Sequence, residues 1–279
     1  MTLTTFLEEV DRADHTLAVV GDQASGPLGA LLEESVGESS IDVNLDIDAD
    51  IADFEFAFDV DPSLESELDR PTDDDIVLLL EDETVVAVSP LAALYEHLLA
   101  VNSDLYVTGT QGLGDVELPD VLAGLDDTRL TLRGYPLAHK EKLLLIVVSR
   151  YIEQLAWEAG SGTLRSSFQY LSRIDDEIGT RAVYESLAAT DLALHVYGVA
   201  DSVPSDLECI VHAGDSDDYR DAWFVVFRPD RDPGENGCDG NARGAALLAL
   251  ETESRIWDGF WTDDPARIAR IDEYLERTL

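Results

Sequence analysis

The chain has 279 residues, long enough for one large domain or two ordinary ones, and its 45% hydrophobic content excludes wholesale disorder. Its 59 acidic and 18 basic residues leave a formal net charge of -41, which disfavours nucleic-acid binding, because affinity for a phosphate backbone comes from neutralising it. Charge repulsion reaches about 30 Å in dilute buffer but only about 3 Å at molar salt, so an acidic chain whose only lysines are Lys140 and Lys142 is expected in a salt-accumulating cytoplasm.

Along the first third, residues 3–12 are predicted helical and HTLAVVG at 15–21 a strand. Leu28, Leu31 and Leu32 are spaced as on a helix face. FEFAF at 54–58 and IVLLL at 76–80 are predicted strands, and the acidic turn Glu81-Asp82-Glu83 joins IVLLL to VVAV at 85–88 as a hairpin. Ser89-Pro90 opens a helix near 91–100. The glycine-dotted GTQGLGD at 109–115 then marks a boundary between an acidic N-terminal α/β unit, residues 1–124, and a second domain, residues 125–279.

Beyond Leu130, LTLRG is predicted as a short strand and KEKLLLIVVSRYIEQLAWEAG as a long buried helix stopped at Gly160. Leu164, Phe168 and Leu171 predict a helix over about 163–174, with Arg165, Gln169 and Arg173 on its other side. A further helix is expected over about 180–189. LHVYG, CIVHA, WFVVF and AALLALE are expected strands, with DPGENGCDGNARG at 232–244 as a long hairpin loop. Asp264-Pro265 starts a last helix whose apolar face is Ile268, Ile271 and Leu275. The expected fold class is α+β: packed helices on a mostly antiparallel sheet, preceded by a smaller α/β unit.

Charge is unevenly spread. Residues 1–128 carry 32 acids against Arg12 and Arg70, whereas residues 129–181 carry six acids and eight bases, so the side chains of that segment are expected to be buried or engaged. Cys209 and Cys238 are read as reduced, and no leader is visible at the N-terminus, so a cytoplasmic location is expected. The longest strongly apolar run, LLLIVV at 143–148, is too short to span a bilayer.

Catalytic signatures are scarce. GTQGLGD lacks the lysine and hydroxyl of a phosphate-binding P-loop and the third glycine of a dinucleotide fingerprint. His15, His97, His139, His195 and His212 have no zinc spacing, and a nucleophile elbow is missing. No metal or cofactor is expected. The candidate binding residues are Arg150, Tyr151, Trp157, Arg165, Gln169 and Arg173, an arginine-rich, aromatic-edged set suited to an anionic ligand or an acidic partner, together with His195 and Tyr197 of LHVYG. The alternative is that these arginines pair internally with acids such as Asp175, Asp176 and Glu177, and that Tyr151 and Trp157 are core.

The stretch from LTLRGYPLAHKEKLLLIVVSRYIEQLAWEAGSGTLRSSFQYLSR to AVYESLA, followed by LHVYG, WFVVF and WDGFWTDDP, resembles the DICT sensory domain over roughly residues 125–265. SRYIE and GSGTL carry most of the resemblance. The N-terminal third resembles loosely the segment that often precedes this domain in haloarchaeal proteins. The resemblance implies a sensory module working with two-component parts, and hence a signalling partner such as a histidine kinase, a cyclase or a regulator, with a small ligand as possible input. No catalytic residue comes with it, and no output domain is evident, so a stand-alone sensor or relay is expected. The other reading is a small-molecule enzyme, which a closed pocket with a converging acid–base pair would mark.

Overall fold

The computed structural model describes residues 2–12, 15–20, 41–47, 59–60, 64, 75–81, 84–94, 96, 118–133, 143–176, 178–204, 206–230, 243–254 and 256–279. Strands β1 (His15–Val20), β2 (Ile41–Ile47), β3 (Asp59–Val60), β4 (Ile76–Glu81) and β5 (Thr84–Pro90) form one sheet in the order β2-β1-β4-β5-β3. β4 and β5 pair antiparallel, the hairpin expected from IVLLL and VVAV. β2 runs parallel to β1 and was not expected, although apolar and polar residues alternate strictly from Ile41 to Ile47. The expected strand at 54–58, the leucines at 28–32, the linker at 109–115 and most of the 232–244 loop lie outside the described residues.

The second sheet contains β6 (Leu130–Arg133), β7 (Ser161–Tyr170), β8 (Asp191–Val199), β9 (Ile210–Ala213), β10 (Ala222–Arg228), β11 (Ala245–Glu253) and β12 (Ile256–Thr262), in the order β6-β12-β11-β10-β7-β8-β9. Its neighbours pair antiparallel from β6 through β7; the β7–β8 and β8–β9 pairs are parallel. With the helices α1 (Leu3–Glu8), α2 (Asp120–Ala123), α3 (Leu143–Ala159), α4 (Arg173–Asp176), α5 (Ile178–Ala188), α6 (Asp217–Arg220) and α7 (Pro265–Thr278), the fold is α+β with a mostly antiparallel main sheet. Among the described residues, no helix is long and apolar enough to cross a membrane.

Two cores sandwich the main sheet. On one face Val147, Val148, Ile152 and Ala156 of α3 share a core with Leu164, Val225, Phe227, Leu247 and Trp257. α3 ends where expected: Gly160 has φ +66°, a left-handed turn that glycine adopts at no steric cost, and its N–H bonds the Ala156 carbonyl at 3.0 Å. On the other face Ile268, Ile271 and Leu275 of α7 pack with Phe224, Val226, Leu248 and Phe260. Asp264 caps α7 by accepting from the Ala266 N–H at 3.1 Å, and Pro265 fills the first turn. Leu3, Phe6 and Leu7 of α1 join this second core, and Arg270–Glu9 (2.8 Å) and Arg12–Asp258 (3.8 Å) ion pairs border the contact. The N-terminal helix therefore packs on the sheet formed by the second half of the chain.

The helix expected over 163–174 is not there. Residues 161–170 form β7, a central strand between β10 and β8, and only Arg173–Asp176 turns as a helix. The reason is that residues four apart share a face in both periodicities. Leu164 and Phe168, spaced as on a helix, are also alternate positions of one strand face. Strand pairing on both sides decided between them.

Candidate functional site

β7 is interrupted near its end. Its register with β8 slips between Ser167 and Tyr170, and Gln169 sits at φ 59°, the left-handed region that a side chain occupies at a cost. Across from the slip, Ser167 bridges to β10 with its side chain: its Oγ accepts from the Phe224 N–H and donates to the Ala222 carbonyl, both at 2.9 Å. The bulge turns Gln169 towards α3, where a cleft of about 390 Å³ opens.

Among the described residues, five elements build the cleft. α3 contributes Ile146, Ser149, Arg150 and Glu153, and β7 contributes Ser167, Phe168 and Gln169. Arg173 of α4, Thr180 and Tyr184 of α5, and Trp223 and Val225 of β10 complete it. One wall is aromatic: Phe168 meets Tyr184 edge-on, with ring centroids 5.1 Å apart, and Trp223 stands at 90° to Trp257 at 5.9 Å. The Trp223 indole N–H donates to Ser149 Oγ at 3.0 Å, and Ser149 Oγ donates to the Leu145 carbonyl at 2.7 Å, so the indole is held from α3.

The polar side of the cleft is an ordered network. Glu153 is buried, and each of its oxygens accepts a bond: Oε2 from Arg150 Nη1 at 2.5 Å, Oε1 from the Tyr184 hydroxyl at 2.9 Å. Arg150 Nη2 donates to Thr180 Oγ1 at 2.8 Å. Burial, then the Glu153 charge, pushes the Tyr184 phenol well above its usual range, so Tyr184 keeps its proton and donates it. The cleft thus holds a carboxylate and a phenol bonded to each other, not aimed together at the opening. Arg173 donates to Gln169 Oε1 and lies 5.7 Å from the Tyr170 ring centre.

The candidate residues from the sequence fall into separate places. Arg150, Gln169 and Arg173 meet in the cleft. Tyr151 is half-buried against Trp261, and Trp157 is 39% exposed; neither lines the cleft. Arg165 does not share a helix face with Gln169 and Arg173, because that helix is a strand and its side chain points to the opposite face of the sheet. There it is buried, and Nε donates to Asp272 Oδ1 at 2.6 Å. Its partner is this acid of α7; of the acids expected to pair with it, the side chains of Asp176 and Glu177 lie outside the described residues. Asp175 pairs instead with Arg181.

His195 and Tyr197 gather around Arg165. Arg165 Nη1 donates to the Tyr197 hydroxyl at 2.9 Å and lies 3.2 Å from His195 Nδ1. A guanidinium can only donate, so His195 Nδ1 is an acceptor. His212 Nε2, 2.9 Å from the same nitrogen, must then carry the proton. Tyr197 and His212 stack 4.3 Å apart. Burial first, then Arg165 and His212, lowers the His195 pKa to about 4.

Glu153, Tyr184, Trp223, His212 and Asp272 were not singled out from the sequence. Two of them left a trace in it: Glu153 is an acid inside the most apolar helix, three residues after Arg150, and Asp272 is an acid on the apolar face of α7 beside Ile271. The other three have no comparable mark. No curated protein and no solved structure matches the chain. Residues 120–232, which contain every described residue lining the cleft but neither β12 nor Asp272, match the DICT family, the sensory domain in diguanylate cyclases and two-component systems, and this match points to a sensory role.

Proposed function

We propose that this chain is a sensory protein of a salt-rich cytoplasm, that the cleft between α3, α5 and the bulged end of β7 receives its input, a small molecule, and that it relays occupancy to a signalling partner such as a histidine kinase, a cyclase or a regulator. The observation that carries the reading is the strained bulge. Gln169, at φ 59°, forms part of the cleft wall and belongs to the strand that carries Arg165 to α7 on the other face. Strain of this kind costs about 1–3 kcal/mol and persists where function uses it. A ligand that moved the bulge would shift Ser167, whose hydroxyl ties β7 to β10, and Arg165, whose guanidinium ties β7 to α7. Sensing in place of catalysis is supported by the family match and by a Glu153–Tyr184 pair already spent on internal bonds. The acidic, lysine-poor composition supports the salty cytoplasm.

The test is a metabolite screen by thermal shift in molar potassium chloride, with hydrogen exchange to locate whatever binds. Protection confined to α3, α5 and β7 supports the reading. Protection on another surface, turnover of a bound compound, or no stabilising compound in the library overturns it.

A further inference from the structure

Resting on the reading of the chain as a relay, we propose that α1 is a displaceable cover, and that the groove it fills on β11, β12 and α7 is the output surface, which takes an amphipathic helix of the signalling partner. The chain's own segment supplies the pattern that the groove reads. Leu3, Phe6, Leu7 and Val10 are each no more than 4% exposed and share a core with Leu248 of β11, Phe260 of β12, and Ile271 and Leu275 of α7. Their spacing, i, i+3, i+4 and i+7, is the one by which helices are recognised in apolar grooves. Phe6 is the anchor. Its ring meets Tyr274 edge-on at 5.6 Å, and the Arg270 guanidinium lies 5.6 Å from its centre. Arg270 also pairs with Glu9 at 2.8 Å, so the rim of the groove suits an acid three residues after the anchor.

The groove is what makes α1 a helix. Its six residues are fewer than the roughly 12–15 that an isolated helix needs. Thr4 and Thr5 are weak helix formers, and Glu8 and Glu9 stand at its C-terminal end, where the helix dipole disfavours negative charge. The entropy of ordering this segment therefore offsets much of what the burial of four apolar side chains contributes. A partner helix of the same pattern that is already helical avoids that ordering cost and can take the place of α1. The groove also lies where β7 can move it. Asp272, on α7 between Arg270 and Tyr274, accepts from Arg165 of β7 at 2.6 Å and from Arg228 of β10 at 3.1 Å. A shift of β7 reaches α7 at Asp272, two residues from each of the side chains that hold Phe6. α1, β11, β12 and α7 all lie outside residues 120–232, so input and output use different segments of the chain.

The experiment uses the full chain in 2 M potassium chloride and, as the probe, a fluorescein-labelled synthetic peptide of residues 2–12. In the native chain, the amides of Leu7 to Val10 should exchange with solvent at least a hundred-fold faster than those of β10 and β11; exchange of both sets at one rate, through global unfolding, overturns the proposal. By fluorescence anisotropy, a Phe6→Ala chain, whose own α1 is loosened, should bind the peptide at least ten-fold tighter than the native chain does, and a Phe6→Asp peptide should not bind. Failure of the peptide to bind a Phe6→Ala chain with a native circular dichroism spectrum, or equal binding of the two peptides, overturns it. So does self-association of the Phe6→Ala chain in sedimentation, which would make a second copy the occupant. If Phe6→Ala proves poorly folded, the exchange measurement on the native chain still decides. Arg165→Met should also raise peptide affinity, whereas Leu187→Ala, a cavity in the core on the opposite face of the sheet, should not; an equal effect of the two overturns the link through Asp272. Because no cleft ligand is used, these results are separate from the metabolite screen, and either reading can fail alone.

Discussion

Replacing Arg165 by methionine would remove a cation from the middle of the main sheet while keeping most of the side-chain volume. Arg165 and Asp272 side chains are 5% and 7% exposed and 2.6 Å apart. Removing one partner of such a pair costs about 3–5 kcal/mol, because the other is left charged and buried. Asp272 would still have Arg228 at 3.1 Å, but that arginine is 41% exposed and compensates only in part, so a loss of about 3 kcal/mol is expected. For a chain of this size that corresponds to a fall in Tm of about 6–12 °C. The loss should be the same at 1 M and 3 M potassium chloride, because buried pairs are screened little. Arg277→Met, which removes the exposed Arg277–Glu273 contact at 3.4 Å, should change stability by less than about 0.5 kcal/mol. A second readout follows from His195, whose pKa of about 4 owes its depression to burial and then to Arg165. In Arg165→Met it should rise towards 6.5, as followed by NMR titration. A stability loss below about 1 kcal/mol together with an unmoved His195 titration would refute the reasoning.

Four further outcomes are expected. With a net charge of -41, the native circular dichroism spectrum should be lost cooperatively as potassium chloride falls from molar to 0.05 M; an equally stable fold at 0.05 M contradicts the salt argument. His195 ordinarily takes up its proton at 6.5, but in the fold only near 4, so the unfolded chain binds more protons between these values and stability should fall as pH drops from about 6.5 to about 4. The full effect would be about 3 kcal/mol, cut to about 1–2 because the ring is partly solvated; urea titrations of His195→Gln should lack this slope, and an identical slope would remove His195 as its source. Gly162→Ala should cost about 2–4 kcal/mol by thermal unfolding, since Gly162 has φ +120° and a Cβ would stand 2.6 Å from the Arg228 carbonyl oxygen; a neutral substitution would show that β7 can shift there freely. Limited proteolysis should cut between residues 105 and 128, and the N-terminal fragment should co-elute with the C-terminal one under native conditions, because α1 buries Leu3, Phe6 and Leu7 beside Ile268 and Phe224; separation without denaturant would count against that packing.

Elements with one available periodicity or a clear punctuation mark were legible from residues alone. LLLIVV could only be a buried segment, and Gly160 stops its helix; Asp264-Pro265 starts α7 because a carboxylate can cap free N–H groups and proline fits the first turn. The β4–β5 hairpin and the strands LHVYG, CIVHA, WFVVF and AALLALE follow from short apolar runs between turns. The composition also recorded that residues 129–181 escaped the acidic drift, and the cleft and the Arg165 cluster draw much of their polar machinery from that segment. Tertiary structure decided what local pattern leaves degenerate. A step of four residues fits a helix and a strand alike, so only pairing with β8 and β10 made residues 161–170 a strand, and that assignment sent Arg165 to one face of the sheet while the bulge turned Gln169 to the other. The cleft itself could not be read in advance. Glu153 meets Tyr184 across 31 positions and Ser149 meets Trp223 across 74, and such meetings depend on how α3 and α5 lie on the sheet, a three-dimensional relation that local sequence spacing does not encode.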